Sequence, residues 1–342
     1  MRHWVLRLLK FAVVAGIFFF LFKTGRINPA SLAGIADRPE MFIAAIMLML
    51  AGLLVSVQRW RVLLNIQGFS IDVVTALKLT LVGFFFSTAM PGAVSGDIIK
   101  AYYLAKGQEQ KSKLISTVVI DRLLGLYTII LSAAMAIAVA ILSDYLSGRQ
   151  TIWSRPSLKI VVLFIGILFC VLNLAGIIFT SKGMKGSRLA QKIIERMPFH
   201  EKVRGIYNAV YQYGQKPKLA SVALLLSIAS QMFMFAGIWC LVILLKIETL
   251  VPLNFLLAIS VGLLFNAIPL APGGLGVGEM GFQGIFLLFG SNKGAELALL
   301  FHAVIFIIAI GAGGPTYLFS DISRGKEPKI LRQEKSANET YK

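Results

Sequence analysis

The stretch that decides the fold runs from residue 82 to residue 97 and reads VGFFFSTAMPGAVSGD. A second stretch, residues 261–279, reads VGLLFNAIPLAPGGLGVGE. Both contain Val-Gly, an apolar run with Phe, a Pro-Gly turn, and Gly-x-x-x-Gly followed at once by an acid. Pro and Gly break a helix, and broken helices at membrane depth require cover from protein or a water-filled cavity. The sequence therefore predicts two related helical hairpins, each with a polar turn.

The composition makes the bilayer the solvent for most of the 342 residues. Hydrophobic residues make up 57% and charged residues 15%, against roughly 25% charged in soluble domains. The mean hydropathy is +0.78. A soluble protein of this length could not bury so much apolar surface. This excludes a secreted disulfide scaffold, a disordered chain and most soluble enzyme folds.

Six apolar runs are long enough to cross about 30 Å of hydrocarbon. They cover residues 5–22, 41–57, 115–142, 159–180, 219–245 and 295–319. The residues after the first run lack a good small-x-small cleavage site, so we expect an uncleaved first helix.

The net charge of +18 is explained by topology rather than by nucleic-acid binding. With the N-terminus in the cytoplasm, 24 of the 34 Lys and Arg residues fall on the inner side. Such an excess is typical of cytoplasmic loops. We therefore expect a multi-pass protein of the inner (plasma) membrane, with both termini cytoplasmic.

The placement of the charged residues also predicts that the two interrupted stretches are re-entrant. Basic residues at 59–61 and 100–113 share the inner side, so residues 73–106 must enter and return from the cytoplasm. By the same reasoning, residues 253–290 dip in from the outside. Each half then has two crossings, one hairpin and one crossing. An odd number of crossings inverts the second half, as in many secondary transporters.

We therefore predict an all-α polytopic membrane protein with about six crossing helices, two opposed re-entrant helical hairpins and an inverted internal repeat. The halves span residues 1–145 and 146–320, and residues 321–342 form a basic cytoplasmic tail. Residues 184–204 are basic, with apolar side chains at helical spacing. They predict an amphipathic helix that lies on the inner leaflet and is attracted by anionic lipid.

Several of these motifs resemble the transmembrane region of lysylphosphatidylglycerol synthases. They are Pro91–Asp97 followed by IIKAYY to Tyr103, the Asp121-Arg122 pair, and Pro272–Glu279, and the resemblance covers about residues 5–320. It implies that this chain corresponds to the flippase module of those synthases and exists as a free-standing membrane protein. The lysyl transfer of the synthases belongs to a separate soluble domain. The residues after Ser320 are too few for that domain, so we do not expect lysine transfer here.

The acids at the ends of the two stretches are the first candidates for function. Asp97 and Glu279 could simply cap helices, but an acid at membrane depth costs about 2.5–3.5 kcal/mol. Their functional role would be to pair with a cationic headgroup or a protein cation, or to carry protons. Arg122 is either a snorkelling side chain or a partner of Asp97 or of phosphate. We interpret Arg59-Trp60-Arg61 as a membrane-interface anchor.

The two turns offer free backbone N–H groups that favour phosphate, although their glycines could serve close helix packing alone. Lys100 and Tyr103 share a helical face, and Lys100 is predicted to bind a lipid phosphate. The full predicted lipid-binding set is Pro91, Gly92, Ser95, Gly96, Asp97, Lys100, Tyr103, Arg122, Pro272, Gly273, Gly274, Gly276 and Glu279.

The predicted function is a lipid flippase or scramblase for an anionic or aminoacylated phospholipid. The alternatives are a membrane enzyme acting on a lipid phosphate and a scaffold for glycolipid or sterol-like lipid synthesis. Both cysteines, Cys170 and Cys240, lie in apolar runs, and the three histidines lie far apart in sequence. We accordingly expect no catalytic residue, metal, cofactor or nucleic-acid partner. The sequence is compatible with a homo-oligomer.

Overall fold

The structure is a computed structural model that describes residues 35, 37–90, 94–147, 156–180, 200–248, 252–268, 277–320, 328 and 330–332. The first apolar run, 5–22, lies outside the described residues. So do most of the predicted amphipathic segment 184–204 and most of the tail 321–342.

The described residues form an almost entirely helical molecule. The helices are α1 (Pro39–Ile66), α2 (Val73–Ala89), α3 (Ser95–Ala105), α4 (Lys111–Ser147), α5 (Pro156–Thr180), α6 (His200–Gln215), α7 (Pro217–Leu244), α8 (Pro252–Asn266), α9 (Val277–Leu288), α10 (Gly294–Ile308) and α11 (Gly314–Phe319). A π-helical segment, Ala309–Gly313, joins α10 to α11. Two-residue strands, β1 (Phe69–Ser70) and β2 (Leu331–Arg332), pair antiparallel.

Five helical stretches in the described chain are long and apolar enough to cross a membrane. They are α1, α4, α5 (over Pro156–Ile178), α7 and the continuous run from α10 to α11, and they contain 23 to 37 residues. At 1.5 Å per residue even the shortest exceeds 30 Å. They coincide with five of the six apolar runs, so the prediction of an all-α polytopic membrane protein is confirmed.

The central pair of helices is α1 and α7, which pack along each other. Both are 28 residues long and begin with a proline in the first turn. Small residues bring them close: a Cβ on Gly52 would lie 3.0 Å from the Ser230 carbonyl oxygen, and one on Gly237 would lie 2.9 Å from Met49 Cγ. The Ser230 hydroxyl donates to the Gly52 carbonyl at 2.8 Å. Such contacts are typical of helix association in lipid.

The two interrupted stretches form helical hairpins, α2 with α3 and α8 with α9, whose arms pack together. In the first hairpin, a Cβ on Gly96 would overlap the carbonyl oxygen of Gly83. In the second, a Cβ on Gly262 would lie 2.8 Å from the ring of Phe282. The arms occupy residues 73–105 and 252–288, apart from the turns, and the division of the chain into two repeat halves stays a prediction. Re-entry from opposite faces stays a prediction.

Each hairpin packs against a crossing helix of the other predicted half. The first hairpin packs through α2 against the π-helical segment and α11, whereas α8 of the second packs against α4. A Cβ on Gly313 would lie 2.6 Å from the Leu81 carbonyl oxygen, and Phe85 stacks on Tyr317 with ring centroids 5.9 Å apart. Each hairpin therefore depends on the crossing helix of the other half.

Contacts near the helix ends fall into two groups, one at each end of the helical bundle. At one end, Lys216 Nζ donates to the Ile66 carbonyl at 2.9 Å, and β1 pairs with β2. At the other, Lys246 pairs with Asp37 at 3.5 Å, and Lys293 Nζ donates to the Leu245 carbonyl at 2.7 Å. The same grouping follows from the charge count. Which end faces the cytoplasm stays a prediction.

Asp72 is the N-cap of α2, the first arm of the first hairpin. We expect its replacement to lower the stability of the protein measurably. Its carboxylate accepts from the Thr75 backbone N–H at 2.9 Å, and hydrogen bonds from Thr75 lower the pKa of this carboxyl below its usual 3.8. Folding thus favours the charged form, so the stabilisation is full above pH 3.8 and disappears as pH falls through the lowered pKa. Asp72→Ala should cost about 1 kcal/mol at pH 7.

Thermal unfolding in detergent at a series of pH values from 7 to 3 measures this cost. The wild-type and Ala proteins should converge in acid. Asp72→Asn is the matched control because its amide oxygen caps the helix at every pH. Equal melting temperatures for the Ala and Asn variants at pH 7 would contradict the capping role.

Candidate functional site

A cavity of about 370 Å³ lies between the two hairpins. Helices α1, α4, α7 and α10 complete its wall. The first hairpin contributes Thr80, Gly83, Phe84, Ser87, Thr88, Gly96, Asp97 and Lys100. The second contributes Leu263, Asn266 and Ala267. The two sequence stretches that resemble each other thus meet around one space.

A buried three-charge cluster, formed by Arg59, Asp121 and Lys100, lines one side of the cavity. Arg59 Nε donates to Asp121 Oδ1 at 2.8 Å, and Lys100 Nζ lies 3.5 Å from Asp121 Oδ2. Arg59 also donates from a terminal nitrogen to the Ser227 hydroxyl at 3.1 Å. The two cations are 8% and 5% exposed. One carboxylate serves both, so the cluster keeps a net positive charge.

Trp60 supports Lys100 from behind the cavity. The ammonium lies 3.6 Å from the centre of the indole ring, a favourable cation–π geometry. The indole N–H donates to the Thr117 hydroxyl at 3.3 Å, and Trp60 is fully buried. The interface-anchor interpretation of Arg59 and Trp60 is therefore wrong. These side chains face the protein interior because α4 supplies their partners.

Asp97 and Arg122 form an ion pair at the rim of this cluster. Arg122 lies 3.6 Å from Asp97 Oδ2, and the two side chains are 30% and 35% exposed. The contact agrees with the ion-pair interpretation of Arg122. Its length and exposure make it weaker than the Arg59–Asp121 pair.

The second hairpin holds an acid–base pair of its own. Glu279 Oε1 lies 3.0 Å from His302 Nδ1, and His302 Nε2 lies 2.9 Å from Asn266 Oδ1. A Cβ on Gly278 would lie 2.7 Å from that amide oxygen, so glycine leaves room for Asn266. In both hairpins the acid at the start of the second arm meets a basic side chain of the next crossing helix.

Sequence reasoning missed His302 because it treated the histidines as isolated. A signal was present: His302 follows Glu279 by 23 residues, much as Arg122 follows Asp97 by 25. Asp121 was noted, but its buried role between Arg59 and Lys100 was not found.

The structure places the remaining predicted residues away from the cavity or does not describe them. Ser95 is buried, and its hydroxyl donates to the Met90 carbonyl at 3.4 Å within the turn. Tyr103 packs beside Leu77 against a separate apolar cluster. Neither belongs to the described cavity lining. Six residues of the turns, which are Pro91, Gly92, Pro272, Gly273, Gly274 and Gly276, lie outside the described residues, so phosphate binding there stays a prediction.

A family model described as the lysylphosphatidylglycerol synthase TM region matches residues 7–313. The chain belongs to this family. The match includes both hairpins and every charged residue of the cavity lining, and it confirms the resemblance seen in the motifs. As a member of this family with several long apolar helices, the protein is a multi-pass membrane protein.

Among curated proteins, this chain is similar to UPF0104 membrane protein MJ1595 of Methanocaldococcus jannaschii. The two are 33% identical over 92 residues, which is 26% of this chain and 27% of the relative. The chain thus spans about a quarter of the length of the curated relative that it matches. No solved structure matches.

The charged side chains of the cavity give it an excess of basic groups. Three basic side chains, Arg59, Lys100 and Arg122, face two carboxylates, Asp97 and Asp121. In a bundle of apolar helices, the one uncompensated positive charge is costly unless an anion enters. Among the described residues, no three His, Cys, Asp or Glu side chains come together as a metal site.

Proposed function

We propose that this chain moves an anionic or aminoacylated phospholipid between the leaflets of the membrane, as a flippase or scramblase. One observation carries the proposal: a cavity of about 370 Å³ within an apolar helical bundle, lined by three basic and two acidic side chains, which gives a formal charge of +1. A lipid phosphate is the anion that such a protein meets at high local concentration. Arg binds phosphate through two N–H groups.

The rim pair is the proposed headgroup contact. Asp97 and Arg122 are separated by 3.6 Å and are about one-third exposed, so little energy is lost when they part. A phosphate could then take Arg122, and the ammonium of an aminoacylated headgroup could take Asp97. Arg59 and Lys100 are fixed by Asp121 and add a positive potential behind the phosphate.

The two hairpins supply the proposed path. Both line the cavity, and each packs on a crossing helix of the other half. Movement of one hairpin against the bundle would expose the cavity on one side at a time, as in transporters with inverted repeats. The acyl chains would remain in the bilayer. The family name, which refers to a synthase of a lysylated lipid, supports an aminoacylated substrate.

Reconstitution tests this proposal. The protein is placed in vesicles with fluorescent phosphatidylglycerol or its lysylated form, and the exchange between leaflets is followed by quenching. We expect Arg122→Gln to slow the exchange of both lipids between the leaflets about tenfold, which corresponds to a loss of roughly 1.4 kcal/mol. Asp97→Asn should slow the lysylated lipid more than the unmodified one, because only the former carries an ammonium for Asp97.

Lys246→Gln is the control, because it removes an exposed ion pair with Asp37 that lies outside the described cavity lining. It should move lipid at the wild-type rate. Exchange no faster than in empty vesicles would overturn the proposal. Mass spectrometry of the same lipids would reveal covalent change, which would instead favour an enzyme.

A further inference from the structure

Gln231 lines the cavity, and its buried amide nitrogen has no hydrogen-bond partner among the described residues. It lies on α7 within an apolar run, where a buried donor without an acceptor is costly. The close contact of α7 with α1 does not use this side chain, because the neighbouring Ser230 makes the bond to Gly52. The Thr80 hydroxyl, on α2, also lines the cavity without a partner in the described part of the chain. Both side chains are therefore placed to bind a polar molecule that enters.

Gln231 is one helical turn from the charged cluster. Ser227, four residues earlier on the same face of α7, accepts a hydrogen bond from Arg59 at 3.1 Å. Four residues of α-helix advance by about 6 Å, a distance comparable with the length of a three-carbon headgroup. When a phosphate is bound by the basic side chains, the next few atoms of the same molecule therefore lie close to the Gln231 amide.

The side from which a lipid enters decides which atoms these are. The rim pair, Asp97 and Arg122, is about one-third exposed. The residues that follow these two in the chain, Ile98 and Leu123, are apolar and are 63% and 50% exposed. Exposed apolar side chains of a membrane protein contact lipid tails, so the acyl chains can stay on this side. The buried amide of Gln231 then meets the headgroup beyond the phosphate rather than the acyl esters.

We propose that Gln231 determines lipid specificity by donating a hydrogen bond to a hydroxyl oxygen on the headgroup of an anionic phospholipid. This inference rests on the proposed function and narrows its substrate to lipids with a hydroxyl beyond the phosphate, as in a glycerol headgroup. A hydroxyl suits this position because it is uncharged and can accept from the amide. The residues that α7 contributes to the described lining, Ser230, Gln231 and Met234, are uncharged as well.

Competition between two lipids tests this site without requiring movement across the membrane. Phosphatidylglycerol and phosphatidylpropanol have the same charge and the same number of headgroup carbons, but only the first has headgroup hydroxyls. Equal amounts of both are added to the full chain in detergent, and native mass spectrometry measures the two bound species. We expect the wild type to prefer phosphatidylglycerol about tenfold, the effect of a hydrogen bond from a buried donor that is otherwise unpaired.

Gln231→Met keeps the length of the side chain and removes the donor. It should abolish the preference by weakening the binding of phosphatidylglycerol alone. Met234→Leu, which changes an apolar residue of the lining on the same helix, is the matched control and should keep the preference. Arg122→Gln should weaken the binding of both lipids equally, because both contain the phosphate.

Equal binding of the two lipids by the wild type overturns the inference, and this is also the result expected if water alone binds the amide. A Gln231→Met protein that loses affinity for both lipids to the same extent overturns it too, because the amide would then bind an oxygen that both lipids contain.

Stability without added lipid is an independent measurement. Gln231→Met should melt at the wild-type temperature or higher, since the amide nitrogen has no acceptor among the described residues to lose. A clearly lower melting temperature would show that the amide has a protein partner, and that result also overturns the inference.

Exchange of the same two lipids between the leaflets of vesicles separates this inference from the proposed function. We expect the preference for phosphatidylglycerol to appear in the exchange rates as well. A protein that binds phosphatidylglycerol selectively but moves neither lipid overturns the proposed function alone. A protein that moves both lipids and binds them equally overturns the role of Gln231 alone.

Discussion

Asp121→Asn should lower the free energy of unfolding by about 3–5 kcal/mol, the typical cost of removing one partner from a buried ion pair. Asp121 is the carboxylate shared by Arg59 and Lys100, both of which are almost completely buried. Its loss leaves both cations without their shared partner, because the other acid of the cavity, Asp97, already pairs with Arg122. Thermal unfolding in detergent and the yield of monodisperse protein measure the effect.

A double-mutant cycle separates this cost from a general effect of the substitution. Lys100→Met should be much less costly in the Asp121→Asn background than in the wild type, because it then removes an unpaired cation. Glu40→Gln, an exposed acid in the first turn of α1, should change stability by less than about 0.5 kcal/mol. Additive effects of Lys100→Met and Asp121→Asn would contradict the shared-carboxylate arrangement.

Gly96→Ala should disrupt the first hairpin and abolish lipid movement. A Cβ at this position would overlap the carbonyl oxygen of Gly83 and lie 2.9 Å from Ser87 Cβ. The first of these atoms is backbone, so the whole arm α3 must shift away from α2. Overpacking of this kind costs about 3 kcal/mol or more when the neighbour cannot yield. The shift also displaces Asp97 and Lys100 from the cavity.

Gly284→Ala is the matched control, because it lies in the second hairpin and a Cβ there meets nothing within 4 Å. Since alanine is the better helix former, this variant should be as stable as the wild type or more stable by up to about 1 kcal/mol. Unfolding and lipid exchange are measured on both variants. Gly96→Ala protein with wild-type stability and exchange would show that the hairpin arms need not approach so closely.

The crossing helices could be predicted because the bilayer imposes one length on every apolar run. The hairpins could be predicted for a different reason. Pro91-Gly92 and Pro272-Gly273 interrupt apolar stretches that are predicted, from the placement of charged residues, not to cross the membrane. The helix ends found on either side, at Ala89 and Ser95 in the first hairpin, agree with that interruption.

The site could be predicted only where its residues are close to the hairpin turns. Asp97 follows the turn directly, and a basic partner for it was foreseen in Arg122. Arg59 and Asp121 are 62 residues apart, and Arg59 and Ser227 are 168 apart. No local pattern reports such pairs, because they form only when α1, α4 and α7 pack. Arg59-Trp60 stands at the end of an apolar run, and its partners are distant in the sequence. From the sequence alone it therefore resembles an interface anchor.

The exchange of partners between the halves imposes an order on biosynthesis. Gly313, which packs against the Leu81 carbonyl, leaves the ribosome more than 200 residues after it. At a synthesis rate of 5–20 residues per second, the π-helical segment that packs on α2 is made roughly 10–50 s after α2. During that interval we expect the newly made first hairpin to be bound by insertion factors and exposed to quality-control proteases. Truncation before α10 should therefore produce a rapidly degraded fragment rather than a stable half-protein.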